Sequence, residues 1–306
     1  MLPSFLVPLD PAGESCPRSA VFNHPTLGPA HSLWWDACED PPETIFLFIP
    51  GSNPGLLDFY IDFLSSIRKK HSRLSVFAHA HLAHTPNLNA TTSSSLDAQI
   101  QSAIEAVDAV RATFGQVKIV LSGHSVGAWI ALQVLKSRPS DIFHLFLLCP
   151  TLTHIVDTPN GRRLSWLFVS PLPSVISWLS YLARPLPLSV LFPQWSTSHR
   201  AVLRTLLNSP ETIFACLSMA HEEMLRIRDL DVALLKENSD RLHLYFARED
   251  DWVSRHKASI TRLFAERHPS NIDIVEAQEG VPHAFCLKHG EEVALQCSSW
   301  LKSLAL

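Results

Sequence analysis

Short apolar runs alternate with helix-spaced apolar stripes along most of this chain. Residues 44–49, TIFLFI, make a continuous run of strand length, the pattern of a strand covered on both faces. In 56–70, Leu56, Phe59, Tyr60, Phe63, Leu64 and Ile67 recur at spacings of three and four, which places them on one helix face. The alternation continues with a strand at 74–78, a polar loop at 79–95 and a long amphipathic helix at 96–114 closed by Gly115. A strand at 117–121, a helix at 128–136 ending before Pro139 and a strand at 142–148 follow. Residues 1–30 are proline-rich and read as irregular apart from a short strand, and 32–35 reads as a strand. Strands alternating with helices predict a mostly parallel sheet with helices on both faces.

From Thr151 to about Asp240 the strand signal stops, and helical patterns appear at 201–207 and 213–228. It resumes with a strand at 241–247, a turn at 249–252, a helix at 254–267, a strand at 271–277 and a helix at 287–301. The expected organisation is therefore a first part of an α/β core at 1–150, a helical insertion at 151–240, and a second part of the core at 241–306. Within the insertion, 164–192 holds one charge, Arg184, with Trp166, Trp178, Tyr181 and prolines at 171, 173, 185 and 187. A single membrane-spanning helix needs about 20 uninterrupted apolar residues, and the prolines break this run. Short helices lying in a lipid interface, or a hairpin dipped into one leaflet, fit the composition. A cap whose apolar residues face inward is the alternative.

The chemistry-bearing stretch is Gly123-His124-Ser125-Val126-Gly127, between the strand at 117–121 and the helix at 128–136. A serine at the apex of a strand–turn–helix reversal is held in strained geometry with its hydroxyl exposed, and the flanking glycines permit the close backbone approach. The helix that follows directs its positive end at the site. Asp250 follows a strand end and His283 follows the last strand, giving the chain order serine, acid, histidine. Parallel strands bring their C-terminal ends to one edge, so the separation in sequence is no obstacle. His283 can take the Ser125 proton and return it to a leaving group, while a carboxylate on its far ring nitrogen fixes the tautomer. Glu249, Asp250 and Asp251 compete for the acid; Ala247, Asp250 and Val253 match the acidic loop pattern of this motif class, which favours Asp250. His268 and His289 are rivals to His283, but the first ends a helix and the second falls within the closing helix pattern. The loop Pro50-Gly51-Ser52-Asn53-Pro54-Gly55 follows the strand at 44–49. A backbone N–H there, from Asn53 or Ser52, would join that of Val126 in an oxyanion hole.

Composition changes the picture little. Among 306 residues the net charge is -4, which leaves no basic footprint for nucleic acid. Charged residues make up 18% and the mean hydropathy is +0.11, consistent with a greasy surface somewhere on the fold. Six scattered cysteines without a CxxC spacing give no disulfide framework, and Cys149 and Cys286 read as small core residues. The N-terminal decapeptide lacks a basic n-region and a long apolar stretch, so it does not read as a signal peptide. His79, His81 and His84 cluster without carboxylates or cysteines nearby and read as a polar loop rather than a metal site. Neither a cofactor nor a metal is expected.

These residues resemble the lipid-droplet-associated serine hydrolases, a family within the α/β-hydrolase fold. The likeness runs from about Thr44 to the end. It is carried by the 50–55 loop with Phe59-Tyr60, the elbow 123–128, Asp250-Asp251-Trp252, and Val281-Pro282-His283-Ala284-Phe285. Met219-Ala220-His221-Glu222-Glu223-Met224 has the same flavour. The family loop reads Pro-Gly-Asn-Pro-Gly, and Ser52 is an added residue here. The resemblance implies a carboxylic-ester hydrolase of lipid droplets and the endoplasmic reticulum, acting on lipid esters of the sterol ester class. It would meet the droplet monolayer through about 164–192. A catalytically silent droplet protein and a soluble small-ester hydrolase are the alternative functions.

Overall fold

The computed structural model describes residues 2–10, 16–52, 55–88, 95–265 and 273–304. The apolar runs pair into a nine-stranded sheet of β1 (Leu6–Pro8), β2 (Arg18–His24), β3 (Gly28–Trp35), β4 (Thr44–Ile49), β5 (Leu74–His79), β6 (Lys118–His124), β7 (His144–Leu148), β8 (Leu242–Phe246) and β9 (Asp273–Glu276). Their spatial order is β1-β2-β3-β5-β4-β6-β7-β8-β9. β4 to β9 are parallel to one another, with Phe48 opposite Ser122 and Ile49 opposite Gly123. β4 is buried throughout, as its unbroken apolar run requires.

Helices cover both faces. α1 (Ile61–Lys69) packs on one, after a short 3₁₀ turn at Leu57–Tyr60. α2 (Leu96–Phe114) and α3 (Val126–Ser137) pack on the other. Between β7 and β8 the chain makes no strand. It forms α4 (Pro159–Leu164), α5 (Leu172–Ala183), α6 (Leu188–Leu191), α7 (Thr197–Leu207), α8 (Pro210–Arg226) and α9 (Val232–Glu237). α10 (His256–Ala265) precedes β9, and α11 (Gly290–Ser303) returns to pack beside α1. Trp300 on α11 meets Phe146 of β7 at 4.9 Å between ring centroids, inside the second apolar layer.

The first thirty residues depart from the irregular reading. β1, β2 and β3 form an antiparallel meander, and β3 joins β5 antiparallel. The prolines are tolerated because Pro8 closes an edge strand and Pro29 stands near the start of β3 opposite Asn23. The expected loop at 79–95 does begin after β5, but its first histidines do not face solvent. His79, His81 and His84 are buried, with His79 Nε2 2.8 Å from Ser102 Oγ.

α5 is inside out. Ser177 and Ser180 are buried and return their hydroxyls to backbone carbonyls, while Val175, Trp178, Leu179 and Leu182 are exposed at helical spacing. Trp178 and Leu182 are 74% and 73% exposed. Among the described residues no single helix is long and apolar enough to cross a membrane. The apolar segments Pro159–Phe168 and Leu172–Ala183 meet at an 85° bend.

Gly123 and Gly127 set how closely β4, β6 and α3 approach. A Cβ on Gly127 would lie 2.4 Å from the carbonyl oxygens of Ile49 and Pro50. Gly127→Ala is therefore expected to destabilise the fold by about 2–3 kcal/mol, measured by urea unfolding; an unchanged midpoint would mean the strand ends can spread without cost.

Candidate active site

The sharp turn after β6 forces Ser125 to φ 55°, ψ −121°, backbone that a non-glycine residue adopts only under strain. Two features hold it there. The Ser125 N–H donates to the Leu148 carbonyl at the end of β7 (3.0 Å), and α3 starts at the next residue. The carbonyl ends of the parallel strands then deliver the partners. His283, in the loop beyond β9, sets Nε2 3.0 Å from Ser125 Oγ. Asp250, just past β8, sets Oδ2 2.7 Å from His283 Nδ1. Asp250 Oδ1 accepts the backbone N–H groups of Trp252 and Val253 at 2.9 and 3.2 Å, which fixes its carboxylate plane.

With Asp250 ionised, Nδ1 of His283 carries the proton and Nε2 accepts from the serine hydroxyl. Burial alone would raise the Asp250 carboxyl, but the neighbouring His283 ring and the two backbone donors hold it below the usual carboxylate range. Of the competing acids, Glu249 and Asp251 are exposed. His289 caps α11 and faces Glu292, and His268 lies outside the described residues. The Cys149 thiol shares this corner, so that Cys149, Asp250 and His283 offer three possible ligand atoms within 4.8 Å of one another. Burial pushes that thiol well up, and the Asp250–His283 hydrogen bond already occupies the facing atoms. The donor set therefore suits a proton relay better than a cation.

Val126 opens α3, so its N–H has no intrahelical partner. The loop after β4 comes close to it, since a Cβ on Gly51 would stand 3.2 Å from Ser125 Cβ. Ser52 is buried on the wall of the same cavity, and Asn53 lies outside the described residues. The cavity measures about 410 Å³ and is walled mainly by apolar side chains, among them Phe59, Trp195, Leu203, Leu206, Ile213 and Trp252. Cys286, expected in the core, is half-buried on its wall, and burial pushes its thiol up to about 12.

Four polar residues here escaped the sequence reading. The His283 carbonyl can only accept, so the neutral His124 ring carries its proton on Nε2, which donates to that carbonyl (2.9 Å). Nδ1 is then bare and accepts the Tyr60 hydroxyl (2.8 Å), and Tyr60 Oη in turn accepts the Gly51 N–H (3.2 Å). Burial, and next the nearby His283 ring, push His124 down to about 3, so it stays neutral and the relay keeps one direction. His81 Nε2 donates to the Pro50 carbonyl (2.9 Å) and pins the same loop. Glu223 of α8 lines the cavity from the insertion side. In sequence, Tyr60 sat inside an apolar stripe, His124 was the free position of the elbow, and Glu223 was one of two adjacent acids on a helix. Tyr60, His124 and Glu223 stood among the residues that carry the family resemblance, but nothing in their local pattern gave them a role.

A mostly parallel sheet, a strained serine after β6, and an acid and a histidine after β8 and β9 define an α/β-hydrolase. Solved structures agree on the fold. An epoxide hydrolase from Vigna radiata has a TM-score of 0.63 at 14% identity, covering 93% of this chain and 98% of that one. A serine hydrolase from Cycloclasticus zankles has 0.63 at 16%, covering 94% and 98%. The chain belongs to the lipid-droplet associated hydrolase family, whose model matches residues 42–286. It is similar to lipid droplet-associated hydrolases of Homo sapiens (28% identical, 90% of each chain covered) and Drosophila melanogaster (28%, covering 87% of this chain and 92% of that one).

Tyr60→Phe keeps the ring and deletes the hydroxyl, leaving Gly51 N–H and His124 Nδ1 buried without that partner. A loss of about 1–3 kcal/mol in chemical denaturation is expected. A variant as stable as the parent would mean the relay carries no net energy.

Proposed function

We propose that this protein is a serine carboxylic-ester hydrolase acting on lipid esters at the lipid droplet surface. The observation that carries the reading is the continuous hydrogen-bond chain from Ser125 Oγ through His283 to Asp250 at an apolar cavity. Ser125 Oγ attacks the ester carbonyl while His283 Nε2 takes its proton. The oxyanion forms at the start of α3, where the Val126 N–H and a donor of the 51–53 loop, from Ser52 or Asn53, would receive it. His283 then returns the proton to the departing alcohol. Water, deprotonated by the same ring, releases the acid and restores the serine hydroxyl. Throughout, Asp250 holds the ring tautomer and offsets the imidazolium charge.

The apolar cavity walls favour a hydrophobic ester, in keeping with the sterol ester class implied by the family. The names of the relatives support the droplet as the site of action. The outward apolar face of α5 supports lipid contact. In water, Trp178 and Leu182 gain nothing from exposure, and four such side chains withdrawn from water would contribute about 6 kcal/mol. Because the segment is bent at 85°, a wedge in one leaflet fits better than a span. A droplet monolayer and the endoplasmic reticulum membrane offer the same phospholipid face.

Two tests separate catalysis from docking. With emulsified cholesteryl and acylglycerol esters, Ser125→Ala is expected to lower kcat roughly 10⁴-fold or more; retained turnover would remove Ser125 from the reaction. Trp178→Ser with Leu182→Ser is expected to abolish flotation with phospholipid-coated triolein droplets. Stability should change by less than about 0.5 kcal/mol, since both side chains are already exposed. Undiminished flotation would move the docking face elsewhere, and a parent protein that never floats would favour a soluble esterase.

A further inference from the structure

A second acid lies in the cavity, on the insertion rather than the core. Glu223 of α8 is 4% exposed, and its Oε1 has no hydrogen-bond partner among the described residues. Its carboxyl group is hydrogen-bonded by the Ser52 hydroxyl. Ser52 is itself 2% exposed and directly follows Gly51, whose backbone stands against His124 and Ser125. A single carboxyl thus ties an insertion helix to the loop that approaches the nucleophile.

We infer that Glu223 is a positioning residue: as a neutral acid it holds the Ser52 loop in place to receive the oxyanion, and as a carboxylate it opposes the charge forming there. The inference rests on the esterase reading of Ser125.

The protonation state follows from the surroundings. Burial pushes the Glu223 carboxyl up to about 8, against the smaller opposing effect of the Ser52 hydrogen bond. Among the described residues, the groups around α8 put no compensating cation on Glu223, whose shift comes from burial and the Ser52 hydrogen bond. On the helix itself Cys216 is buried and its thiol is pushed well up, His221 is half-buried two residues before Glu223, and Glu222 accepts the Leu96 N–H. From α2, Asp97 is paired with Arg226 at the far end of α8. α5 carries no charged side chain. On α7, Arg200 and Arg204 bond backbone carbonyls between 184 and 195, and burial pushes His199 down. In the segment ahead of α5, Asp157 faces His154, and Arg162 and Arg163 are exposed. Across the cavity stands His283, already committed to Asp250. At neutral pH Glu223 is therefore an uncharged group on the wall of the cavity that Ser125 also lines. Its ionisation would set a like charge in a poorly screened pocket and slow the step.

The test is the rate of Ser125 labelling by a fluorophosphonate from about pH 6 to about pH 10. In that reaction Ser125 Oγ forms a bond to phosphorus, fluoride leaves, and His283 takes the serine proton. The phosphoryl oxygen occupies the oxyanion position. The parent rate is expected to fall above pH about 8, roughly tenfold per further pH unit. Glu223→Gln cannot ionise, and its amide can still bond the Ser52 hydroxyl. It should label within about threefold of the parent at neutral pH and lose the alkaline fall. Glu223→Leu, which cannot ionise either, should label about tenfold or more slowly than the parent at neutral pH through loss of loop placement, and should likewise lack the alkaline fall. Should the leucine variant fail to fold, the parent and glutamine profiles still decide the matter. An unchanged alkaline fall in Glu223→Gln overturns this inference alone. An unlabelled parent at any pH overturns the esterase reading and this inference with it.

Discussion

The constraint on which the structure depends is the backbone of Ser125, held at a positive φ where a side chain is disfavoured. Such a residue costs about 1–3 kcal/mol and persists only when its surroundings over-determine it. Here they do. β6 is buried from Ile119 onward, Leu148 captures the Ser125 N–H, and α3 begins at once. The glycines on either side let this happen, since any Cβ at Gly123 would fall 2.2 Å from the Gly127 carbonyl oxygen. The same geometry projects Oγ away from the turn, opposite His283, and turns the first N–H of α3 toward the same space.

Around that point, loops from distant parts of the chain are joined by polar contacts with a defined sense. Gly51, Tyr60, His124 and the His283 carbonyl form one relay, whose sense is fixed by the carbonyl at its end, which can only accept. The loop after β4 and the loop carrying His283 are thereby locked to the elbow itself. Such a buried network holds geometry well when every member is satisfied. Glu223 adds a tether from the insertion, so that the helices over the cavity and the nucleophile share one polar framework.

Much of this was legible in the sequence where chemistry and local pattern coincide. The elbow needs its glycines within five residues, and the acid and base follow strands in a fixed order, so Ser125, Asp250 and His283 could be named. Asp250 was separable from its neighbours because a carboxylate that caps its own turn needs that loop pattern, and the structure has Oδ1 accepting from Trp252 and Val253. Tyr60 and His124 were not legible, because their roles exist only in tertiary contact across 64 positions. The meander at the N-terminus was obscured by prolines that edge strands and strand starts tolerate. The apolar content of 164–192 was plain, but not its direction. Only the packing of Ser177 and Ser180 inward reveals that the apolar side of α5 faces out.

The insertion thus presents two surfaces, an oily outer one and an inner one that closes an apolar cavity over Ser125. The most direct test is to incubate the protein with a p-nitrophenyl fatty acyl ester, quench rapidly, and map the acyl group by peptide mass spectrometry. The account predicts acyl transfer to Ser125 in the parent and none in His283→Ala. An acyl group on any other residue, or an equal yield on Ser125 without the histidine, would contradict it.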